Sequence, residues 1–277
     1  MSRIAPYFTQ LQQAGRCALI PYVTAGDPNP GETVELMHTL VSAGADILEL
    51  GVPFSDPMAD GPVIQAACER ALQHDTSLND VLEMVATFRQ TNAATPVVLM
   101  GYLNPIERMG YEPFVAKASA VGVDAVLTVD MPPEESEQFI KPLNAAGMDA
   151  IYLLSPTTTD QRIQMIAAAG SGFLYYVSLK GVTGAANLDV AAVEKKLAQI
   201  KRFTDLPLGV GFGIHDAASA ANVARLADAV VVGSALIRII ESHSDDMNIA
   251  KEKITSLLAS MREAIDAARS VPVRQTG

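Results

Sequence analysis

The sequence predicts an α/β fold, a closed (β/α)8 barrel of the TIM type, and three observations support this prediction. Short apolar runs rich in β-forming residues recur along the whole chain, and helical patterns separate them, which implies parallel strands. There are eight such runs, each nearly continuously apolar, as is typical of strands buried on both faces. The glycine-rich turns come late in the chain. The predicted strands are Ala18–Val23, Asp46–Gly51, Pro96–Gly101, Asp124–Val129, Ala150–Leu154, Phe173–Val177, Pro207–Gly211 and Ala229–Gly233.

A doubly wound parallel sheet is the alternative architecture for alternating strands and helices. Such a sheet usually carries a glycine-rich phosphate turn directly after its first strand. Here the first strand is followed by Thr24-Ala25-Gly26-Asp27-Pro28, which is not a dinucleotide fingerprint. The late position of the glycine-rich turns therefore favours the barrel.

Helical patterns outside the eight repeating units predict further elements. Ile4–Gln13 is predicted to be an extra N-terminal helix that closes the bottom of the barrel. Two helices, 62–72 and 76–89, are expected after the second strand. Apolar residues at spacings of three and four from Ile254 to Ile265 mark a long final helix, which gives an additional helix after the eighth strand.

Length, composition and charge limit the class of protein. The chain has 277 residues, of which 49% are hydrophobic, and a formal net charge of −11 without a basic cluster, which argues against a nucleic-acid groove. Its two cysteines, Cys17 and Cys68, lie far apart without metal-type spacing, and no stretch resembles a signal peptide or a membrane span. We expect a cytoplasmic protein with a single domain over residues 1–277, in which 271–277 form a disordered tail.

Two carboxylates converge near the end of the second strand. Successive strand residues point to opposite faces, so Glu49 points inward if Leu48 and Leu50 pack outward. The following proline-stiffened turn carries Asp60 back to the same strand end. A buried carboxylate needs a partner or a task, and the alternative for Glu49 is a structural ion pair. Helix capping explains Asp60 poorly, because Pro62 suits the first helical position and makes Gly61 the cap.

The ends of strands seven and eight suggest a phosphate site. Gly211 ends strand seven and Gly213 follows it, and Gly233 ends strand eight directly before Ser234. Backbone N–H groups and a helix start at these places can hold an anion. Ser234 is expected at the N-cap. The alternatives are a tight turn that needs glycine and a serine that only caps its helix.

The segment 178–189, between strand six and its helix, is long for a βα loop and contains two glycines among small residues. A solvated connector is one interpretation. A mobile lid that excludes water from the barrel mouth is the interpretation we favour.

Several of these stretches together resemble the tryptophan synthase alpha subunit family. They are 48–65, LELGVPFSDPMADGPVIQ, and the shorter motifs at 21–28, 181–185, 211–214 and 232–235. The resemblance implies a (β/α)8 barrel that cleaves indole-3-glycerol phosphate to indole and glyceraldehyde 3-phosphate. It implies no cofactor in this chain. The implied partner is a beta subunit that carries pyridoxal phosphate, receives the indole through a channel and forms an alpha2-beta2 heterotetramer.

The resemblance also assigns roles to individual residues. Glu49 and Asp60 would be the catalytic pair, and Thr183 would hydrogen-bond Asp60 when the lid closes. The phosphate would be held by Gly184, Gly213, Gly233 and Ser234. The indole pocket would use Tyr22, Met100, Leu127, Leu153, Tyr175 and Phe212, with Tyr102 beside it. Tyr22 departs from the phenylalanine that is common in the family and adds a hydroxyl to an apolar wall.

The implied reaction explains why two unlike carboxylates are needed. Indole leaves as a neutral ring only if C3 is protonated first, and an ionised Asp60 in a polar loop would stabilise the resulting cation at N1. A buried Glu49 with a raised pKa would move the proton. Two other functions remain open at this point, namely another phosphosugar-binding barrel enzyme and a non-catalytic activator of a partner enzyme.

Overall fold

The computed structural model describes residues 1–178, 189–211 and 213–270, and it confirms the predicted barrel. Eight strands of the described chain close into one parallel barrel in sequence order, with β8 pairing back to β1. Each bound lies within two residues of the prediction. The strands are β1 Ala18–Thr24, β2 Leu48–Gly51, β3 Val97–Gly101, β4 Ala125–Thr128, β5 Asp149–Leu154, β6 Leu174–Val177, β7 Leu208–Gly211 and β8 Ala229–Val232.

Helices surround this barrel. The described residues form twelve α-helices, and two short 3₁₀ turns lie at Pro30–Glu32 and Pro133–Glu135. The helices are α1 Ile4–Gln13, α2 Thr33–Ser42, α3 Pro62–Leu72, α4 Leu78–Arg89, α5 Leu103–Met109, α6 Tyr111–Val121, α7 Glu137–Ala145, α8 Asp160–Ala169, α9 Val190–Ile200, α10 Ala217–Ala224, α11 Ser234–Ser242 and α12 Met247–Ser270.

The N-terminal helix α1 has the bounds that the sequence predicts, and it closes one end of the barrel. Its apolar residues Ile4, Phe8 and Leu11 are buried and belong to the same cluster as the inward-facing strand residues. The rings of Phe8 and Phe173 lie 5.7 Å apart between centroids. The barrel interior is therefore filled from the amino ends of the strands and open for a site at the carboxyl ends.

The extra helices predicted after β2 and β8 are present. One of them begins at a different residue, and the structure contains a further pair of helices after β3. Helix α4 begins at Leu78 rather than at Thr76, because Ser77 and Asp80 cap it reciprocally: the Ser77 N–H donates to the Asp80 carboxylate at 2.8 Å. A second pair, α5 and α6, follows β3 and was not predicted. Gly110, at φ +90°, separates the two helices in a backbone conformation that glycine adopts without strain.

Buried ion pairs fix the helices to the strands away from the site. Asp46, ahead of β2, accepts from Arg262 of α12 at 2.7 Å, and Asp124, ahead of β4, accepts from Arg89 of α4 at 2.9 Å. Among the helices described, none has an apolar stretch of the length that crossing a membrane would require. The tail predicted at 271–277 lies outside the described residues.

Candidate active site

Glu49 projects from β2 into the barrel and is 2% exposed. Its Oε1 is buried and has no hydrogen-bond partner among the described residues. Burial, and after it the charge of the nearby Asp60 carboxylate, together raise the pKa of Glu49 to about 8. No salt bridge to Glu49 occurs in the described part of the chain, so the alternative of a structural ion pair has no support there. A protonated carboxylic acid at neutral pH is what this environment favours.

Asp60 lies in the loop between β2 and α3 and is partly buried. Its Oδ2 accepts a hydrogen bond of 2.9 Å from the hydroxyl of Tyr102, which lies just after β3. Burial raises the pKa of Asp60 and the Tyr102 hydrogen bond lowers it, with a net rise. The surroundings of Asp60 are thus less polar than the sequence predicts, because a folded loop places it against a buried tyrosine.

The two carboxylates and two tyrosines share the barrel mouth. Tyr22 and Glu49 occupy the same register on β1 and β2, and in-register residues of parallel strands point to the same face. The pKa of Tyr175 is raised by burial and then by the charges of Glu49 and Asp60. The structure therefore brings these groups together at the mouth.

Four residues expected in the indole pocket form one wall. Met100, Leu127, Leu153 and Tyr175 sit on the consecutive strands β3 to β6 and all belong to the interior cluster. Leu127 and Tyr175 are buried, whereas Met100 and Leu153 are half-buried and contribute surface toward the mouth. Side chains of this kind offer an apolar slot for a flat aromatic ring.

Two glycines make room for the two tyrosines. A Cβ on Gly51 would lie 2.2 Å from the Tyr22 hydroxyl oxygen, and a Cβ on Gly211 would lie 2.1 Å from that of Tyr175. The Tyr22 hydroxyl forms a 3.1 Å hydrogen bond with the hydroxyl of Thr24. Neither Gly51 nor Thr24 was predicted as a site residue from the sequence. A glycine at the end of a buried strand was the available signal for Gly51.

The predicted phosphate residues lie at the ends of β7 and β8. Gly213 is exposed at φ +76°, and its carbonyl accepts a hydrogen bond from the His215 ring at 3.0 Å. The prediction that Ser234 is an N-cap is wrong. Gly233 is the N-cap of α11, and Ser234 is the first helical residue and is exposed. The turn after β8 closes one residue earlier than expected, so Ser234 presents both its N–H and its hydroxyl at the helix start.

Three predicted residues lie outside the described residues, namely Thr183 and Gly184 of the predicted lid and Phe212 of the indole pocket. Most of the lid segment, 179–188, lies outside them as well.

An ion-pair brace joins three elements at the mouth. Asp27, in the loop after β1, is fully buried and accepts from Arg70 of α3 at 2.7 and 3.0 Å. The same guanidinium contacts Glu241 of α11 at 3.1 Å. Arg70 thus ties the helix that follows the Asp60 loop to the helix that begins at Ser234.

The described residues contain no cluster of three or more histidine, cysteine or acidic side chains that could hold a metal ion. Both cysteines are buried and unpaired. Cys68, on α3, lies near the site, since the Asp60 charge contributes to its raised pKa after burial.

The family model of the tryptophan synthase alpha chain matches residues 8–266. A relative described as tryptophan synthase alpha chain, from Thioalkalivibrio sulfidiphilus, is 64% identical over 266 residues, which cover 96% of this chain and 100% of the relative. A second one, from Nitrosococcus oceani, is 60% identical over 98% of this chain and 100% of its own length.

Solved structures give the same result. The crystal structure of tryptophan synthase subunit alpha from Legionella pneumophila str. Paris superposes with a TM-score of 0.91 at 47% identity, covering 96% of this chain and 99% of the other. Tryptophan synthase from M. tuberculosis in its aminoacrylate-bound form gives a TM-score of 0.85 at 32% identity, covering 96% and 100%. The chain belongs to the tryptophan synthase alpha chain family.

Proposed function

We propose that this chain is a carbon–carbon lyase that cleaves indole-3-glycerol phosphate to indole and glyceraldehyde 3-phosphate, with Glu49 and Asp60 as its catalytic residues. One observation carries the proposal. Glu49 is a buried acid without a partner for Oε1 in the described chain, its pKa is about 8, and it lies close to a second carboxylate of different surroundings. Two acids with separated roles are what this retro-aldol reaction needs.

Glu49 is proposed to move the proton. Its carboxylic acid protonates C3 of the indole ring and leaves a cation that is delocalised to N1. The resulting carboxylate then takes the proton from the hydroxyl on the adjacent side-chain carbon. The O–H electron pair becomes the aldehyde C=O bond, and the pair of the broken C–C bond returns to the ring. One proton has moved from the hydroxyl to C3, and Glu49 ends protonated.

Asp60 is proposed to accept the N1 hydrogen of the ring. An ionised carboxylate at this position offsets the charge of the cation and is most effective in a cavity from which water is excluded. The apolar wall of Met100, Leu127, Leu153 and Tyr175 supports ring binding, with Tyr22, Tyr102 and Phe212 as the further proposed pocket residues. Proton transfer and positioning together supply the rate enhancement.

The phosphate is proposed to bind at the ends of β7 and β8. Gly233 and Ser234 support this, because they begin α11, where free backbone N–H groups can hold an anion. Gly213 follows β7, the strand that pairs with β8. Gly184 is proposed as a further phosphate contact, and Thr183 as the lid residue that hydrogen-bonds Asp60. The net charge of −11 gives a dianion no general attraction, so local N–H groups must bind it.

The test follows indole release by the purified chain from indole-3-glycerol phosphate. We expect Glu49→Gln and Asp60→Asn each to lower kcat by about 10²–10⁴-fold. Asp56→Asn is the matched control, because Asp56 lies in the same loop but is exposed, and the Ser55 hydroxyl is the hydrogen-bond partner of its carboxylate among the described residues. Full turnover in both site variants would contradict the assignment, and a wild-type chain that releases no indole would contradict the activity.

The family implies a beta subunit as partner, and we propose an alpha2-beta2 heterotetramer in which that subunit carries pyridoxal phosphate. We also propose that the chain works in the cytoplasm without a cofactor of its own. Adding a purified beta subunit should raise the rate of indole release and give a complex whose mass, measured by light scattering, equals two copies of each chain. An unchanged rate, or a complex of another mass, would contradict these proposals.

A further inference from the structure

We propose that Tyr102 is a positioning residue that keeps the Asp60 carboxylate ionised and in place for the cleavage. The inference rests on the proposed function, and it changes the expected role of Tyr102 from a neighbour of the indole pocket to the direct partner of a catalytic residue.

The hydrogen bonds of the Tyr102 hydroxyl fix the direction of its proton. The backbone N–H of Ala59 donates to the hydroxyl oxygen at 2.9 Å, and the hydroxyl donates to Asp60 Oδ2 at 2.9 Å. Since a backbone N–H can only donate, the tyrosine proton is directed at the carboxylate. A donor aimed at a carboxylate favours its ionised form and opposes the effect of burial.

The ring of Tyr102 is buried and stacked, and the backbone beside it is anchored. It is 4% exposed, and it stacks on Phe54 with centroids 5.3 Å apart and planes at 30°. The next residue, Leu103, begins α5, and its N–H donates to Asp130 at 2.8 Å. Phe54 and Asp60 both belong to the loop between β2 and α3, so one tyrosine contacts two points of that loop.

The geometry leaves one carboxylate oxygen for the substrate. Tyr102 is the hydrogen-bond partner of the Asp60 carboxylate among the described residues, and it uses Oδ2. Because the Tyr102 hydroxyl is held between the Ala59 N–H and Asp60 Oδ2, it orients the carboxylate and leaves Oδ1 available. A ring N–H that approaches the mouth can then bind Oδ1 without displacing the tyrosine.

The test compares Tyr102→Phe with Tyr152→Phe in the full chain. Tyr152 is the matched control, since it is also buried and its hydroxyl also donates a short hydrogen bond, 2.6 Å to Ser136, but it lies on the outer face of β5. The readout is kcat/KM for indole release between pH 5 and 9. For Tyr102→Phe we expect the acid limb to move up by about one pH unit, so that the loss approaches about tenfold at the acid end of the limb and is much smaller at pH 7.5.

Tyr152→Phe should keep the wild-type pH profile. An equal loss at every pH for Tyr102→Phe would show a merely structural role and would overturn the inference, as would an unchanged profile. In the Asp60→Asn background, Tyr102→Phe should cause less than a twofold further loss, since nothing remains to be ionised; a full tenfold loss there would also overturn it. Failure of the proposed function would be seen separately, as the absence of indole release by the wild-type chain.

Discussion

The hydroxyl oxygen of Tyr22 lies 2.2 Å from the point that a Cβ on Gly51 would occupy. The tyrosine ring crosses from β1 over the end of β2, and only the missing side chain of Gly51 permits this. On its other side, the Cβ of Tyr22 lies 3.4 Å from the corresponding point of Gly233. The ring therefore fills the space between the carboxylates and the proposed phosphate site.

Gly51→Ala should displace the Tyr22 ring. We expect a loss of stability of about 1–3 kcal/mol, typical of an overpacked buried site, and a clear fall in the rate of indole release. Gly61→Ala is the control for stability, because a Cβ there meets no atom within 4 Å. Urea unfolding and the indole assay measure the two effects. If Gly51→Ala were as stable as Gly61→Ala, the close approach would not constrain the site.

The rate should depend on pH through both carboxylates. Asp60 must be ionised, so kcat/KM should fall toward acid as this residue takes up a proton. Glu49 must start protonated, so the rate should fall on the alkaline side with a pKa near 8. A bell-shaped profile from pH 5 to 10 is expected. A rate that keeps rising above pH 9 would contradict the proton-donor role of Glu49.

Stability should also report the buried acid. The pKa of Glu49 is about 8 in the folded chain against an ordinary value of 4.5, so the folded chain holds one more proton between these limits. The contribution of this proton uptake to the free energy of unfolding is fully present below pH 4.5 and is lost as the pH rises to about 8. Glu49→Gln should therefore be more stable than wild type at pH 9, on the order of a few kcal/mol, and gain less at pH 4.5. Thermal unfolding at both pH values measures the difference; an equal gain at both would contradict the raised pKa.

The buried ion pair of Arg70 and Asp27 should contribute far more to the stability of the fold than an exposed ion pair does. Arg70→Ala leaves a fully buried carboxylate without its partner, and we expect a loss of about 3 kcal/mol at pH 8. The loss should shrink toward pH 4, because burial already raises the pKa of Asp27 and the neutral acid tolerates burial. Urea unfolding measures both values.

Lys117→Ala is the control for Arg70→Ala. Its pair with Glu83 spans 3.0 Å, but the side chains are 36% and 67% exposed, so the loss should stay below about 1 kcal/mol. Equal losses in the two variants would show that the Asp27 pair does not brace the mouth.

The barrel could be predicted from sequence because its signals are local and repeated. Apolar runs such as Ala229–Val232 need burial on both faces, and the eightfold alternation with helices leaves few topologies. The pair α5 and α6 escaped prediction because Gly110 breaks one helical pattern into two short ones. The single-domain organisation of the whole chain stays a prediction.

Placement of the site depended on contacts between distant residues. The inward direction of Glu49 follows from strand alternation alone, which is a local rule. The environment of Asp60 does not, because Tyr102 is 42 residues away along the chain and reaches it only in the folded barrel. The room that Gly51 leaves for Tyr22 is likewise a matter of two strands meeting in register. The residue types of the site could be predicted from the sequence, but the hydrogen bonds between them and the space around them could not.

Helix α1 closes the barrel at the amino ends of its strands. Ile4, Phe8 and Leu11 pack into this end of the barrel, so among the described residues apolar side chains fill the space between Glu49 and α1. A product released beside Glu49 must therefore leave through the rim at the carboxyl ends of the strands, by which the reactant arrived. Any protein that is to receive it directly must therefore cap that rim, and the loops around the rim, rather than the floor, set the order of arrival and departure.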